Sequence, residues 1–174
     1  MVKALFLVLF IFGCSGAQMR VKYNSEVTYP GELPDLAELV MLGDYEPPDF
    51  NTAGMIASAK CSGAPQELRG HTKFFLVAFD RPITRDDAAE AIQGAGMRLA
   101  NLRELLVFGS SHWALPRGVG NRIIAFGSSC REREEEGYPA ISRYESEYRS
   151  LQILYEPEED YEWPTSTWFL AVQK

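Results

Sequence analysis

Side chains that commonly hold transition metals are scarce in this sequence, with two histidines and three cysteines in 174 residues. His71 and His112 belong to no His-Glu-x-x-His segment or other short ligand ladder, so the spacing that would favour zinc is missing. A composite site of Cys61, His71, His112 and Cys130 is conceivable but is not the reading adopted. A Gly-Lys-Ser/Thr phosphate loop is also lacking, and Gly127-Ser128-Ser129-Cys130 has no second glycine to make a nucleophile elbow. Gly118-Val119-Gly120 reads as a loop, and no cofactor is implied. Positive charge is short as well: 17 Lys and Arg stand against 24 Asp and Glu, for a net charge of −7. An acidic surface without a basic cluster repels the phosphate backbone and argues against nucleic acid as a partner.

Long apolar runs are absent except at the start, where Lys3 precedes an unbroken run from Ala4 to Phe12 and then Gly13, Cys14, Ser15 and Gly16. The run is too short to cross a bilayer as a helix but suits the apolar centre of a secretory signal. Ile11-Phe12-Gly13-Cys14 resembles a bacterial lipobox, with Phe12 bulkier than that pattern holds, which implies lipidation of Cys14 and a membrane tether without a spanning helix. A second reading starts translation at Met19, where Met19-Arg20-Val21-Lys22-Tyr23 looks like the opening of a cytoplasmic domain. Residues 1–18 are thus a signal or lipoprotein leader, or an untranslated extension. Cys61 and Cys130 follow the same division: one disulfide after export, or two separate thiols in the cytoplasm.

What is present is material for one ordinary core, 46% hydrophobic and 12% aromatic. We read 19–174 as a single domain with a less regular part at 19–70 and a compact core at 73–174. The first part holds a short alternating segment at 23–29, a helix over 35–42 capped by Asp35 and stopped before Pro47-Pro48, and a weak strand at 55–60. In the core, Phe74-Phe75-Leu76-Val77-Ala78-Phe79 predicts a strand buried on both faces. Thr84 caps a helix over 85–94, with Asp86 and Asp87 in its first turn and Ala88, Ala91 and Ile92 on its packed face. Asn101 and Glu104 form a capping-box pattern ahead of Leu102, Leu105, Leu106 and Phe108, and Gly109 ends that helix. Strands are expected at 122–127, 138–144, 149–155 and 167–172, with 131–136 and 156–162 as solvated turns. The fold class is α+β, two helices packed on a mainly antiparallel sheet.

Phe79-Asp80-Arg81-Pro82-Ile83, the segment from Gly96 to Gly109, Ile123-Ile124-Ala125-Phe126-Gly127-Ser128 and the terminal Phe169-Leu170-Ala171-Val172-Gln173-Lys174 resemble the successive motifs of a family of small proteins from candidate-phyla bacteria. The likeness spans 19–174 and implies no activity, because that family carries none to transfer. Its members begin near the position of Met19, so the apolar extension is a departure. More distantly, Gly96 to Leu105 resembles the Gly-x-Arg-Leu-Pro-Thr-x-x-Glu-Leu segment of bacterial C-type-lectin-like domains, with Ala100 and Asn101 in place of Pro and Thr. That likeness implies a C-type-lectin-like core.

The acids Glu156, Glu158, Glu159, Asp160 and Glu162 lack EF-hand spacing, and the chain lacks the Trp-Asn-Asp pattern of calcium-dependent sugar binding, so no metal site is expected. Aromatic residues concentrate late in the chain. We take Trp113, Tyr144, Tyr148, Tyr155, Tyr161 and Trp163 as candidate contact residues for a protein or glycan ligand, and assign Trp168 to the core. The expected function is a noncatalytic binding module. A hydrolase using dispersed carboxylates, or a structural subunit with an aromatic contact face, are the alternatives.

Overall fold

The chain is a mixed α and β protein in which, among the described residues, three helices pack on a mostly antiparallel sheet. A computed structural model describes residues 17–28, 35–43, 45, 61–62, 71–111, 122–132, 135–143, 149–156 and 160–174.

Two strands set the frame. In β3 (His71–Phe79), Phe74, Leu76 and Ala78 join one apolar cluster while Val77 and Phe79 join another, the period of two that a pleated strand imposes. In β11 (Thr167–Gln173), Trp168, Leu170 and Val172 go to the first cluster, and Phe169 and Ala171 to the second. The strands pair antiparallel, with Phe169 opposite Val77. On its other edge β11 runs parallel to β6 (Arg122–Ile124) through its first residues and antiparallel to β5 (Met97–Leu99) through its last.

The sheet extends both ways from this pair. β1 (Met19–Thr28) lies antiparallel to β3, with an irregularity between Val21 and Tyr23. On the other side β6 pairs with β8 (Glu135–Arg143), which also pairs with β9 (Arg149–Tyr155) and β7 (Ser129–Glu132). β7 carries the two-residue β2 (Cys61–Ser62), with Cys61 opposite Cys130, and the two cysteines are joined as a disulfide. A separate ladder pairs β4 (Ile83–Thr84) with β10 (Glu162–Trp163).

Because the central strands are apolar on both faces, both faces must be covered. α1 (Leu36–Leu42) and α3 (Leu102–Ser111) cover the first cluster with Leu39 and with Leu102, Leu105, Leu106 and Phe108. α2 (Arg85–Gly94) covers the second with Ala88, Ala91 and Ile92. The two core helices expected on the sheet are joined by the short helix read at 35–42, so that among the described residues three helices are distributed over two faces. The caps form where the sequence places them: Asp35 Oδ1 accepts from the Glu38 amide at 2.8 Å, and Thr84 Oγ1 from the Asp87 amide at 3.2 Å. Gly96, at φ 77°, turns the chain from α2 into β5.

Three expected boundaries move. The run 131–136, expected as a solvated turn, supplies strand residues on both sides of a hairpin in which Arg131 pairs with Glu136. These residues lie at the exposed ends of the two strands, with Arg131, Glu135 and Glu136 exposed while Cys130 and Gly137, further along the ladder, are buried. Gly109 does not end α3, which continues to Ser111. Ala17 and Gln18, placed by sequence in the leader, are part of the fold: Ala17 is buried, and Gln18 exchanges hydrogen bonds with Asp80. The strand expected at 55–60 lies outside the described residues.

One junction binds the layers. Ala100 donates its amide to the Leu170 carbonyl at 3.0 Å and accepts at its own carbonyl from the Gly127 amide at 2.8 Å. One residue later the capping box closes: the Asn101 amide donates to Glu104 Oε2, and the Glu104 amide to Asn101 Oδ1, each at 2.9 Å. Glu104 is fully buried, and Arg98 grips both carboxylate oxygens, Nη1 to Oε2 at 2.8 Å and Nη2 to Oε1 at 2.5 Å. Ser128 Oγ accepts the Leu102 amide at 2.9 Å. A Cβ on Gly127 would stand 2.6 Å from the Ala100 oxygen.

A buried cation, Arg149, ties α1 and α3 to the sheet. Arg149 donates from Nη1 to the Gly109 carbonyl at 2.7 Å and from Nη2 to the Gly43 carbonyl at 2.5 Å, with its guanidinium over the Tyr45 ring. The Tyr45 hydroxyl is buried without a hydrogen-bond partner among the described residues. Burial pushes this phenol well above its ordinary value of 10.0, with the Arg149 charge opposing.

Two outcomes are expected in urea titrations. Glu104→Ala strands Arg98 and an orphaned amide and should cost about 3 kcal/mol, and Gly127→Ala, which forces two segments apart, about 2 kcal/mol. Tyr45 stays neutral in the folded state while the unfolded phenol ionises near pH 10.0. Its contribution is therefore present below that pH and fades as pH rises above it. Tyr45→Phe should flatten the alkaline loss of stability and cost nothing at pH 7, since it removes an unpaired hydroxyl.

Candidate functional site

The described surface contains a cleft of about 330 Å³ on the α2 side of the sheet. One wall is the start of α2, with Arg85, Asp86 and Ala89, beside Leu99 of β5. The other is the segment Phe126, Gly127, Ser128 and Ser129 entering β7, facing Glu136 and Tyr138 of β8. The walls meet because Gly127 is bonded to Ala100, which holds the entry to β7 against the end of β5.

Arg85 is the centre of this cleft. Its Nη1 donates to the Tyr138 hydroxyl, its Nε to Asp86 Oδ1 at 3.0 Å, and Nη1 lies 3.9 Å from Glu156 Oε2. The guanidinium also stands over the Tyr138 ring, 5.6 Å from its centroid. Burial pushes the Tyr138 phenol above its ordinary value, while the hydrogen bond from Arg85 pulls it down. Behind them, Phe126 packs against Tyr138 at 5.0 Å, Phe169 at 5.2 Å and Trp163 at 5.6 Å between ring centroids. Trp163 Nε1 donates to Glu156 Oε1 at 3.0 Å, so one carboxylate links the indole to the cleft arginine. The result is a half-exposed cation held by several partners above an aromatic layer, with the carboxylates of Asp86 and Glu136 nearby.

The sequence-derived contact residues are distributed differently. Trp163 is only 2% exposed, so its expected role as a surface contact is corrected to support beneath the cleft, a consequence of packing on Phe126. Tyr161 is half-buried, edge-on to Trp163 at 5.1 Å. Tyr155 is half-buried on β9, opposite Gly137, whose missing side chain makes room for its ring. Trp113, Tyr144, Tyr148 and Cys14 lie outside the described residues. Trp168 is buried, and Cys61 and Cys130 form their disulfide at the sheet end beside Ser129.

Sequence reasoning missed Arg85, Phe126, Glu136 and Tyr138 as a group. Arg85 looked like a helix-start residue among acids and Phe126 like a strand residue. Only the distance from 85 to 138, closed by the sheet, makes them one site. Among the described residues no group of three or more His, Cys, Asp or Glu could hold a metal ion, and no helix is long and apolar enough to cross a membrane. No protein-family model, curated protein or solved structure matches the chain.

Proposed function

We propose that this chain is a noncatalytic recognition module whose contact site is the cleft between α2 and the β7–β8 hairpin, and that it takes a protein segment or a glycan. The observation that carries this reading is Arg85, a guanidinium held by Tyr138 and Asp86 at the centre of a cleft lined by both polar and apolar groups. A donor whose orientation is already fixed loses little freedom when a ligand arrives, which is the main way a small site gains affinity. Leu99 and Phe126 offer apolar contact, and Ser129 and Glu136 offer polar groups for orientation.

The proposal extends to a C-type-lectin-like core, supported by the sequence of short strand, capped helix and serine-containing segment that leads to a closing strand ending beside Lys174. It includes kinship with the small candidate-phyla proteins, supported by the meeting of the Gly96–Gly109, Ile123–Ser128 and Phe169–Lys174 motifs at Ala100 and Leu170. Export and lipid tethering through Cys14 belong to the same reading, supported by the apolar run and the lipobox-like residues. A carboxylate hydrolase is the second reading, favoured by Asp86 and Glu136 lining one cleft.

The test is an amide-detected NMR titration against panels of oligosaccharides and peptides, with hydrolysis of each panel followed in parallel. A recognition module should show shifts at Ala89, Leu99, Ser129 and Glu136, and Arg85→Ala should weaken binding about tenfold with the fold retained. Binding confined to another surface overturns the cleft assignment. Hydrolysis abolished by Glu136→Gln or Asp86→Asn replaces it with the hydrolase.

A further inference from the structure

We propose that the Cys61–Cys130 disulfide is a redox latch on the cleft: formed, it holds the β7 wall in place, and reduced, it lets that wall open while the rest of the fold persists. Its consequence for binding rests on the cleft being the recognition site, but the structural change does not.

Position carries the argument. The sheet ends in the order β8, β7, β2, so β7 has β8 on one side and β2 on the other. Among the described residues β2 is two residues long and its pairing is to β7 alone, Cys61 opposite Cys130 and Ser62 opposite Ser129. A ladder that short is too small to persist by its own hydrogen bonds. The crosslink therefore keeps β2 on the sheet. Ser129, next to the bonded Cys130 and paired to β2, lines the cleft, and Cys130 itself pairs with Gly137, which sits between the cleft residues Glu136 and Tyr138. The disulfide is thus one residue from the cleft on β7 and, across the ladder, opposite Gly137, the residue that separates the two cleft residues of β8.

The effect should stay local, because the opposite wall does not depend on this bond. Arg85, Asp86 and Ala89 ride on α2, which is anchored by Ala88, Ala91 and Ile92 in the second apolar cluster. Cys130 belongs to neither apolar cluster, and Cys61 only abuts the first. Elements outside the main clusters open at lower free energy than those within them.

The chemistry balances with a dithiol as reductant. Its thiolate attacks one sulfur of the disulfide, and Cys61, half-buried where Cys130 is fully buried, is the more open partner. The S–S bond breaks, the Cys130 sulfur departs as the leaving thiolate, and the second thiol of the reductant then displaces Cys61 from the mixed disulfide. Two electrons pass to the protein, the two protons given up by the dithiol end on the cysteine thiols, and the dithiol becomes a disulfide.

The test is hydrogen exchange by NMR or mass spectrometry on the whole folded chain, oxidised and then reduced with dithiothreitol, over the same labelling times. Reduction should accelerate exchange of the amides in β2, β7 and the paired start of β8 roughly tenfold or more, while those of Leu76, Val77, Phe169 and Leu170 keep their protection. Reoxidation should restore the first pattern. The double variant Cys61→Ser with Cys130→Ala should reproduce the reduced pattern and stay insensitive to dithiothreitol. Unchanged exchange at β7 overturns the latch, and so does loss of protection at all sites together, which would make the bond a staple of the entire fold. If the variant fails to fold, the reduced wild-type chain still decides. Failure of every oligosaccharide and peptide to shift the cleft would count against the recognition reading while leaving the exchange result intact.

Discussion

A carboxylate with no exposed surface, Glu104, is the constraint on which the other parts of this fold depend. A buried charge of this kind is tolerable only when its oxygens are fully engaged, and here they accept two donors from Arg98 and the Asn101 amide. Meeting that requirement fixes the end of β5, the start of α3 and the angle between them. The residue between them, Ala100, is then pinned to β11 through Leu170 and to the β6–β7 connection through Gly127. Two stretches of chain far from it in sequence are thereby placed within hydrogen-bonding distance of one alanine.

The two-sided apolar character of β3 and β11 acts on a larger scale. With neither face able to meet water, helices must occupy both, and α2 is sent to the side opposite α1 and α3. The cleft follows from that division. It lies where α2 stops covering the sheet and β7 and β8 begin, and its arginine is the first residue of the covering helix. Trp163, Phe126 and Phe169 fill the layer below, so the polar groups of the cleft rest on a rigid base. The Cys61–Cys130 crosslink closes the far end of the same sheet next to one cleft wall, so the bond at the sheet margin and the geometry of the site are mechanically related.

Residues that act through their near neighbours were legible. Asp35, Thr84 and Asn101 cap the helices they were read to cap, because a cap needs only an oxygen three residues from an unpaired amide. The run 74–79 reads as a doubly buried strand because its apolar residues are consecutive. Short strands such as β2, β4, β5 and β10 carried no readable period: β2 and β5 exist because a longer neighbour supplies their hydrogen bonds, and β4 and β10 because the fold brings them together. The charged residues 131, 132, 135 and 136, expected as a solvated turn, are strand for a related reason: pairing of 131–132 with 135–136, not composition, decides it. The site was less legible than the fold. Late aromatics did mark the region, but Trp163 packs inward, and Arg85 gave no sign that it would meet Tyr138.

By itself, the sequence determined the local elements: three capped helices, the apolar central strands, the acidic surface and the absence of familiar catalytic spacing. Each depends on interactions within a few residues or on composition, both of which can be read along the chain. Only the tertiary structure decided that helices lie on both faces, that Glu104 is buried with Arg98, that Cys61 faces Cys130, and that Arg85, Tyr138 and Glu156 form one cluster. Those contacts join residues brought together by strand order, and strand order is set by how the whole chain buries its apolar faces at once.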